Sequence, residues 1–158
     1  MRVARSRTLA APVDAVWRVL EDPYAFPRWW PMVRRVEGVR DDGWTMVLGR
    51  EGGRGVRADQ RLEASEPPAL RRWALQVPGS PFERLLTSSV VEARLAPAGD
   101  GAALTLELRQ SPRGWARFGG FMLRRAGRRQ LDEALAGMAR AVEPCGASRS
   151  SAAIPPAR

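Results

Sequence analysis

The chain has 158 residues, 44% of them hydrophobic, with one cysteine, no histidine and a formal net charge of +9. That length suits one domain, able to bury roughly 68–70% of its unfolded surface. One cysteine excludes an internal disulfide. No run approaches about 18 consecutive apolar residues, which excludes a membrane-spanning helix. The opening MRVARSRTLAAPVD lacks the apolar core of a secretory signal, so the expected compartment is the cytoplasm.

All 26 basic residues are arginine, in a chain also rich in alanine, glycine and proline. That pattern points to biased coding composition more than to one cationic binding face, and acids interleave with the arginines almost throughout. A nucleic-acid partner is therefore not expected. The exception is Arg109–Arg129, which holds seven arginines and no acid. It reads either as a solvated face or as a contact for an anionic membrane or acidic partner.

In chain order, Val3 to Ala10 alternates as a first strand. Ala11-Pro12-Val13-Asp14 opens a helix, with proline in the first turn and Asp14 facing the exposed amides. Val13, Val16, Trp17 and Leu20 form its apolar stripe, and Asp22-Pro23 ends it. Tyr24–Trp30 reads as a second short helix, stopped by Pro31. From Met32 the period drops to two, predicting strands at about 33–40, 44–50, 54–64, 70–78, 84–96 and 102–110. Asp41-Asp42-Gly43, Gly52-Gly53, Pro67-Pro68, Pro78-Gly79-Ser80-Pro81 and Ala98-Gly99-Asp100-Gly101 supply the turns. Strands in sequence joined by short turns predict an antiparallel meander.

Alternation assigns the faces. Trp44, Met46 and Leu48 share the apolar side with Val56, Ala58, Gln60, Leu62, Trp73, Leu75, Val77, Leu104, Leu106 and Leu108. In the strand at 84–96, Thr87, Ser89, Val91, Ala93 and Leu95 are assigned inward and Glu92 and Arg94 outward. Arg117–Glu143 is a long amphipathic helix, with Phe118, Phe121, Met122, Ala126, Leu131, Ala134, Leu135, Met138 and Val142 on its apolar face. Gly119 and Gly120 weaken its first turn, and Pro144 and Gly146 end it. A sheet with one apolar face and a long helix to cover it make an α+β domain spanning 1–143. Residues 144–158 hold almost nothing that can be buried and are expected to be a disordered tail.

The segment APVDAVWRVLEDPYAFPRWWPMVRRVEGV resembles the opening of the SRPBCC superfamily, the START-like or birch-pollen-allergen-like fold. Within it the nearest likeness is to the bacterial polyketide cyclase/dehydrase group. The matching features are Ala11-Pro12, Val16-Trp17, Leu20-Glu21-Asp22-Pro23 and Trp29-Trp30-Pro31 leading into Val36-Glu37. Gly99-Asp100-Gly101, a leucine-alternating strand and Ser111-Pro112 match further on. The resemblance covers roughly residues 3–143 and implies a helix-grip architecture, a curved seven-stranded antiparallel sheet wrapped around the C-terminal helix. It implies an internal cavity for a small hydrophobic ligand such as a lipid or polyketide, and functions in binding, lipid transport or conversion.

Candidate cavity residues, from facing and from the resemblance together, are Trp30, Trp44, Met46, Ala58, Gln60, Trp73, Leu75, Ser89, Val91, Leu106, Phe118 and Met122. Reaction chemistry is sharply limited by the inventory. Without histidine there is no Ser-His-Asp or Cys-His nucleophile, and without lysine no Schiff base or Walker loop. One cysteine cannot build a nitrogen–sulfur zinc site or a haem site, and no metal or cofactor is expected. Tyr24, arginines and carboxylates remain for acid–base work, but Arg57 and Asp59 are assigned to the outer face. Gln60, Thr87 and Ser89 orient ligands well and make poor bases. Binding is therefore favoured over catalysis, with a cofactor-independent cyclase or dehydratase as the alternative. A membrane-surface or protein-partner module built on 109–129 is the third reading. No motif specifies an oligomeric state.

Overall fold

The computed structural model describes residues 1–114 and 119–143. The elements are β1 (Arg2–Leu9), α1 (Val13–Glu21), a 3-10 turn (Pro23–Ala25), α2 (Phe26–Trp29), β2 (Val33–Arg40), β3 (Gly43–Leu48), β4 (Val56–Glu66), β5 (Leu70–Leu75), β6 (Leu86–Ala98), β7 (Gly101–Pro112) and α3 (Gly120–Val142). All seven strands form one antiparallel sheet in the order β1-β7-β6-β5-β4-β3-β2. β2 to β7 are a meander, and β1 closes onto β7 with α1 and α2 spanning the gap. The predicted helix-grip fold is present, with α3 lying against β1, α1, α2 and β7. None of the described helices is long and apolar enough to cross a membrane.

The local causes are those the sequence suggests. Asp14 sits in the first turn of α1, and Val16, Trp17 and Leu20 are buried. Asp22 ends that helix in extended backbone and accepts the Tyr24 N–H at 3.0 Å, starting the 3-10 turn. Gly137 lets α3 close on α2. A Cβ there would lie 2.3 Å from the Trp29 carbonyl oxygen, so only hydrogen fits.

Two assignments are corrected. Thr87 points outward, because β6 carries an irregularity between Leu86 and Ser88 that inserts one residue. Leu86 takes the inward place instead and is buried. On α3 the buried face is Gly127, Leu131, Ala134, Leu135, Gly137, Met138 and Ala139, while Phe121, Met122 and Ala126 are exposed. The helical period is as expected, but β1, the strand beneath α3, begins at Arg2, level with Gly127, and does not reach under the first turns of the helix. Phe118 and the expected tail at 144–158 lie outside the described residues.

The outer face of the sheet carries a charge cluster. Glu92 points away from the core as expected yet is only 2% exposed, because arginines cover it. Arg72 and Arg94 approach it at 2.6 and 2.5 Å. Glu107 accepts from Arg2 at 2.8 Å and also pairs with Arg109. Burial pushes the Glu92 carboxyl upward, but Arg72 and then Arg94 overrule it and hold it below 4.5. Arg2, against the effect of burial, does the same for Glu107 with help from Arg109.

Candidate ligand-binding cavity

A cavity of about 230 Å³ lies between the concave face of the sheet and α3. β3 contributes Met46 and Leu48, β4 Ala58 and Gln60, and β5 Trp73 and Leu75. Leu86, Ser89 and Val91 come from β6, Leu108 and Gln110 from β7, Trp30 from the end of α2 and Gln130 from α3. Phe82, in the loop before β6, completes the wall. Strand positions two apart supply this set, as the pleat requires, except on β6, where the irregularity puts Leu86 and Ser89 three apart.

One end of the grip is closed by an aromatic plug. Phe26 stacks on Trp29 at 5.1 Å and on Trp44 at 5.4 Å, and meets Trp73 edge-on at 5.5 Å. Trp30 stands edge-on to Trp73 at 5.7 Å. The Arg71 guanidinium lies over the far side, 5.7 Å from the Trp44 ring centre. Burial lowers its pKa from the usual arginine value and Glu21 opposes that shift. Such ring pairs and the cation–π contact fix the plug as a rigid floor.

The plug explains where the candidates fall. Trp30, Met46, Ala58, Gln60, Trp73, Leu75, Ser89 and Val91 line the cavity together. Trp44 does not, being stacked behind Phe26. Leu106 is fully buried in the core, one inward step too close to the plug. Met122 is 70% exposed and far from the wall. The space is displaced towards the end of the sheet where β3 and β7 finish, so Leu48, Leu108 and Gln110 line it in addition. Gln110 continues the Leu104, Leu106, Leu108 alternation and was findable on that ground. Gln130 is the one uncharged hydrogen-bonding side chain between Arg124 and Glu133. Leu86 was hidden by the irregularity at residue 87, and Phe82 has no periodic signal at all.

Among the described residues, the polar groups of the wall are uncharged. Gln110 donates through Nε2 to Ser89 Oγ at 3.2 Å, and Gln60 Nε2 to the Ala58 carbonyl at 3.3 Å. Among the described residues, none that lines the cavity carries an ionisable side chain. Tyr24, the lone phenol, is 63% exposed. Arg57 pairs with Glu37 at 2.6 Å and Asp59 accepts from Thr45 Oγ1 at 2.5 Å, both on the outer face. Among the described residues no cluster of histidine, cysteine, aspartate or glutamate is arranged to hold a metal.

Solved structures share this architecture. A START superfamily protein from Mycobacterium smegmatis superposes with a TM-score of 0.74 at 15% identity, covering 90% of this chain and 97% of that one. The protein XoxI from Bacillus cereus gives 0.72 at 11% identity, over 89% and 94%. The di-domain ARO/CYC BexL from the BE-7585A biosynthetic pathway gives 0.74 at 11% identity, over 92% of this chain and 51% of its own. At these identities the likeness concerns the fold, and this chain spans about half of the di-domain protein. No curated protein sequence matches the chain. The family model described as polyketide cyclase / dehydrase and lipid transport matches residues 1–143. The concave cavity under a gripping sheet and that match agree, and the chain belongs to the polyketide cyclase / dehydrase and lipid transport family.

Proposed function

We propose that the protein binds a small, uncharged, largely apolar ligand in the cavity between the sheet and α3. One observation carries the proposal: among the described residues the wall offers apolar and aromatic surface, three glutamines and a serine, and no ionisable side chain. A buried carboxylate, ammonium or phosphate without a counter-charge costs several kcal/mol or more, whereas a carbonyl or hydroxyl is satisfied by amides. Trp30 and Trp73 suit a flat apolar body at the plug end. Gln60, Ser89, Gln110 and Gln130 suit its carbonyl or hydroxyl end. The volume equals about eight water molecules at roughly 30 Å³ each, and sits below the roughly 300–1,000 Å³ of drug-sized sites. It favours one or two fused rings over a two-chain lipid. The unit we assign to this function is residues 1–143, and the cytoplasm is the compartment we propose for it, a setting with which a lone cysteine is compatible.

Calorimetric titration with naphthamide and naphthoate, which differ in charge and hardly in shape, tests the proposal. The amide is expected to bind and the carboxylate to bind at least about tenfold more weakly. Equal or stronger binding of the carboxylate refutes the uncharged-ligand assignment.

The family description supports a second reading, cyclisation or dehydration of a bound chain in the same cavity. Glutamines and a serine do not exchange protons readily near neutral pH, so the cavity would act by folding an already reactive chain and orienting a carbonyl at Ser89 and Gln110. Under that reading Ser89→Ala lowers the rate of water loss from a linear poly-β-ketone while its binding survives. A rate that tracks occupancy alone argues for the carrier.

A further inference from the structure

We infer that the first two turns of α3 form a docking surface for an anionic lipid bilayer. The helix crosses β1 in step with it. Asp132 meets Arg5 at 3.2 Å, and a Cβ on Gly127 would lie 3.1 Å from Val3 Cγ2 and 3.3 Å from the Met1 methyl carbon. Passing from Asp132 back to Gly127 thus carries α3 from the middle of β1 to its first residues. Residues 120–126 continue past the start of β1 for roughly 9 Å at 1.5 Å per residue. Phe121 there is 77% exposed and Met122 70%, the two most exposed large apolar side chains among the described residues.

The charge around them is mostly positive. Arg5, Arg124, Arg125, Arg128 and Arg129 line a surface groove of about 500 Å³ with Phe121 and one carboxylate, Asp132. Arg5 is engaged by Asp132, and Arg129 by Glu133 at 2.7 Å. Arg124, Arg125 and Arg128 have no carboxylate within ion-pair distance among the described residues. Exposed apolar side chains among unpaired arginines match an interfacial helix, with rings and thioether in the acyl boundary and guanidiniums on phosphates. Among the described residues no hydrogen bond fixes these three guanidiniums, which suits a fluid array of headgroups more than a protein surface of fixed acceptors. The overhang also lies at the sheet end that carries Leu86, Ser89 and Gln110, because Met1 O accepts from the Gln110 N–H at 2.9 Å. Docking through α3 would hold that end of the cavity against the bilayer. The surface is separable from the identity of the cavity's occupant.

Co-sedimentation of the full chain with phosphatidylcholine vesicles, with and without phosphatidylglycerol, tests the inference. The protein is expected to bind the anionic vesicles, and to lose binding as salt rises. Each basic residue at an anionic surface contributes about fivefold, so Arg124→Gln, Arg125→Gln and Arg128→Gln together are expected to weaken binding by about 100-fold. Phe121→Ser with Met122→Ser is expected to weaken it at unchanged charge. Arg7→Gln, Arg50→Gln and Arg54→Gln remove the same charge from other exposed places and are expected to change binding by less than tenfold. Far-UV circular dichroism and thermal unfolding check that each variant folds. The inference is overturned if the folded wild type ignores anionic vesicles at low salt, or if the two arginine triples weaken binding equally. It is overturned as well if the α3 triple leaves vesicle binding intact, or if these arginines bind a soluble acidic protein while vesicles are ignored.

Discussion

Replacing Ala58 by leucine examines the cavity from both sides, through stability and through binding. Ala58 faces the cavity from β4 and stands opposite Met46 of β3 in the sheet register. The space is partly open and carries glutamines on its wall, so water fills it when no ligand is bound. Leucine adds three carbons, which gain about 2.4 kcal/mol at about 0.8 each. Fixing its rotamer costs about 0.5–1 kcal/mol, leaving roughly 1.5 kcal/mol. For a chain of this size that raises Tm by about 3–6 °C. Thermal unfolding followed by circular dichroism measures it, and calorimetry with naphthamide is expected to find affinity reduced by more than about tenfold. A lower Tm with unchanged naphthamide affinity refutes the reasoning, because the site would then be packed already and the ligand elsewhere.

Gly137→Ala places a methyl 2.3 Å from the Trp29 carbonyl oxygen. It is expected to cost about 1–3 kcal/mol by pushing α3 off α2, read as a lower urea midpoint at constant slope. Ser89→Ala and Gln110→Leu each remove one side of the 3.2 Å pair on the cavity wall. Each is expected to lower naphthamide affinity about fivefold, with Tm shifting by less in Ser89→Ala than in Gly137→Ala. Glu92 and Glu107 are held below 4.5 in the folded chain. The unfolded chain therefore takes up their protons first, so their stabilisation is full above about pH 4.5 and is lost as pH falls through the folded values. Urea midpoints between about pH 2 and 6 are expected to drop on acidification, and less steeply in Glu92→Gln than in the wild type. A parallel decline in both would place the acid sensitivity elsewhere.

Most of the architecture was legible because both periodicities are clean. Leu104, Leu106 and Leu108 alternate without interruption, and each expected turn contains a glycine or proline pair where the chain reverses. Local pattern fails where a residue count changes. The extra residue at Thr87 turns one side chain outward, and nothing in Leu86-Thr87-Ser88 marks it. Facing alone also leaves depth along the sheet undetermined. Trp44 and Leu106 face inward as expected, yet they stand at the level of the plug, which depends on Phe26 stacking between two tryptophans from different elements. The apolar face of α3 was drawn correctly as an angle and too far along the axis. Phe121 and Met122 share the helical period, but whether β1 reaches beneath them depends on where the strand begins relative to Gly127. Glu92 was placed on the correct face, and its burial followed from three arginines on β5, β6 and β7 that only the strand order brings together.

The central claim, that the cavity under α3 holds an uncharged small molecule, is tested most directly by native mass spectrometry. Protein purified gently from a bacterial host would be compared with its denatured spectrum and with Ala58→Leu prepared in the same way. The account predicts a discrete extra mass on the wild type that leaves as a neutral compound on denaturation and is absent from the variant. An extra mass retained equally by Ala58→Leu, or one released as an anion, would contradict it.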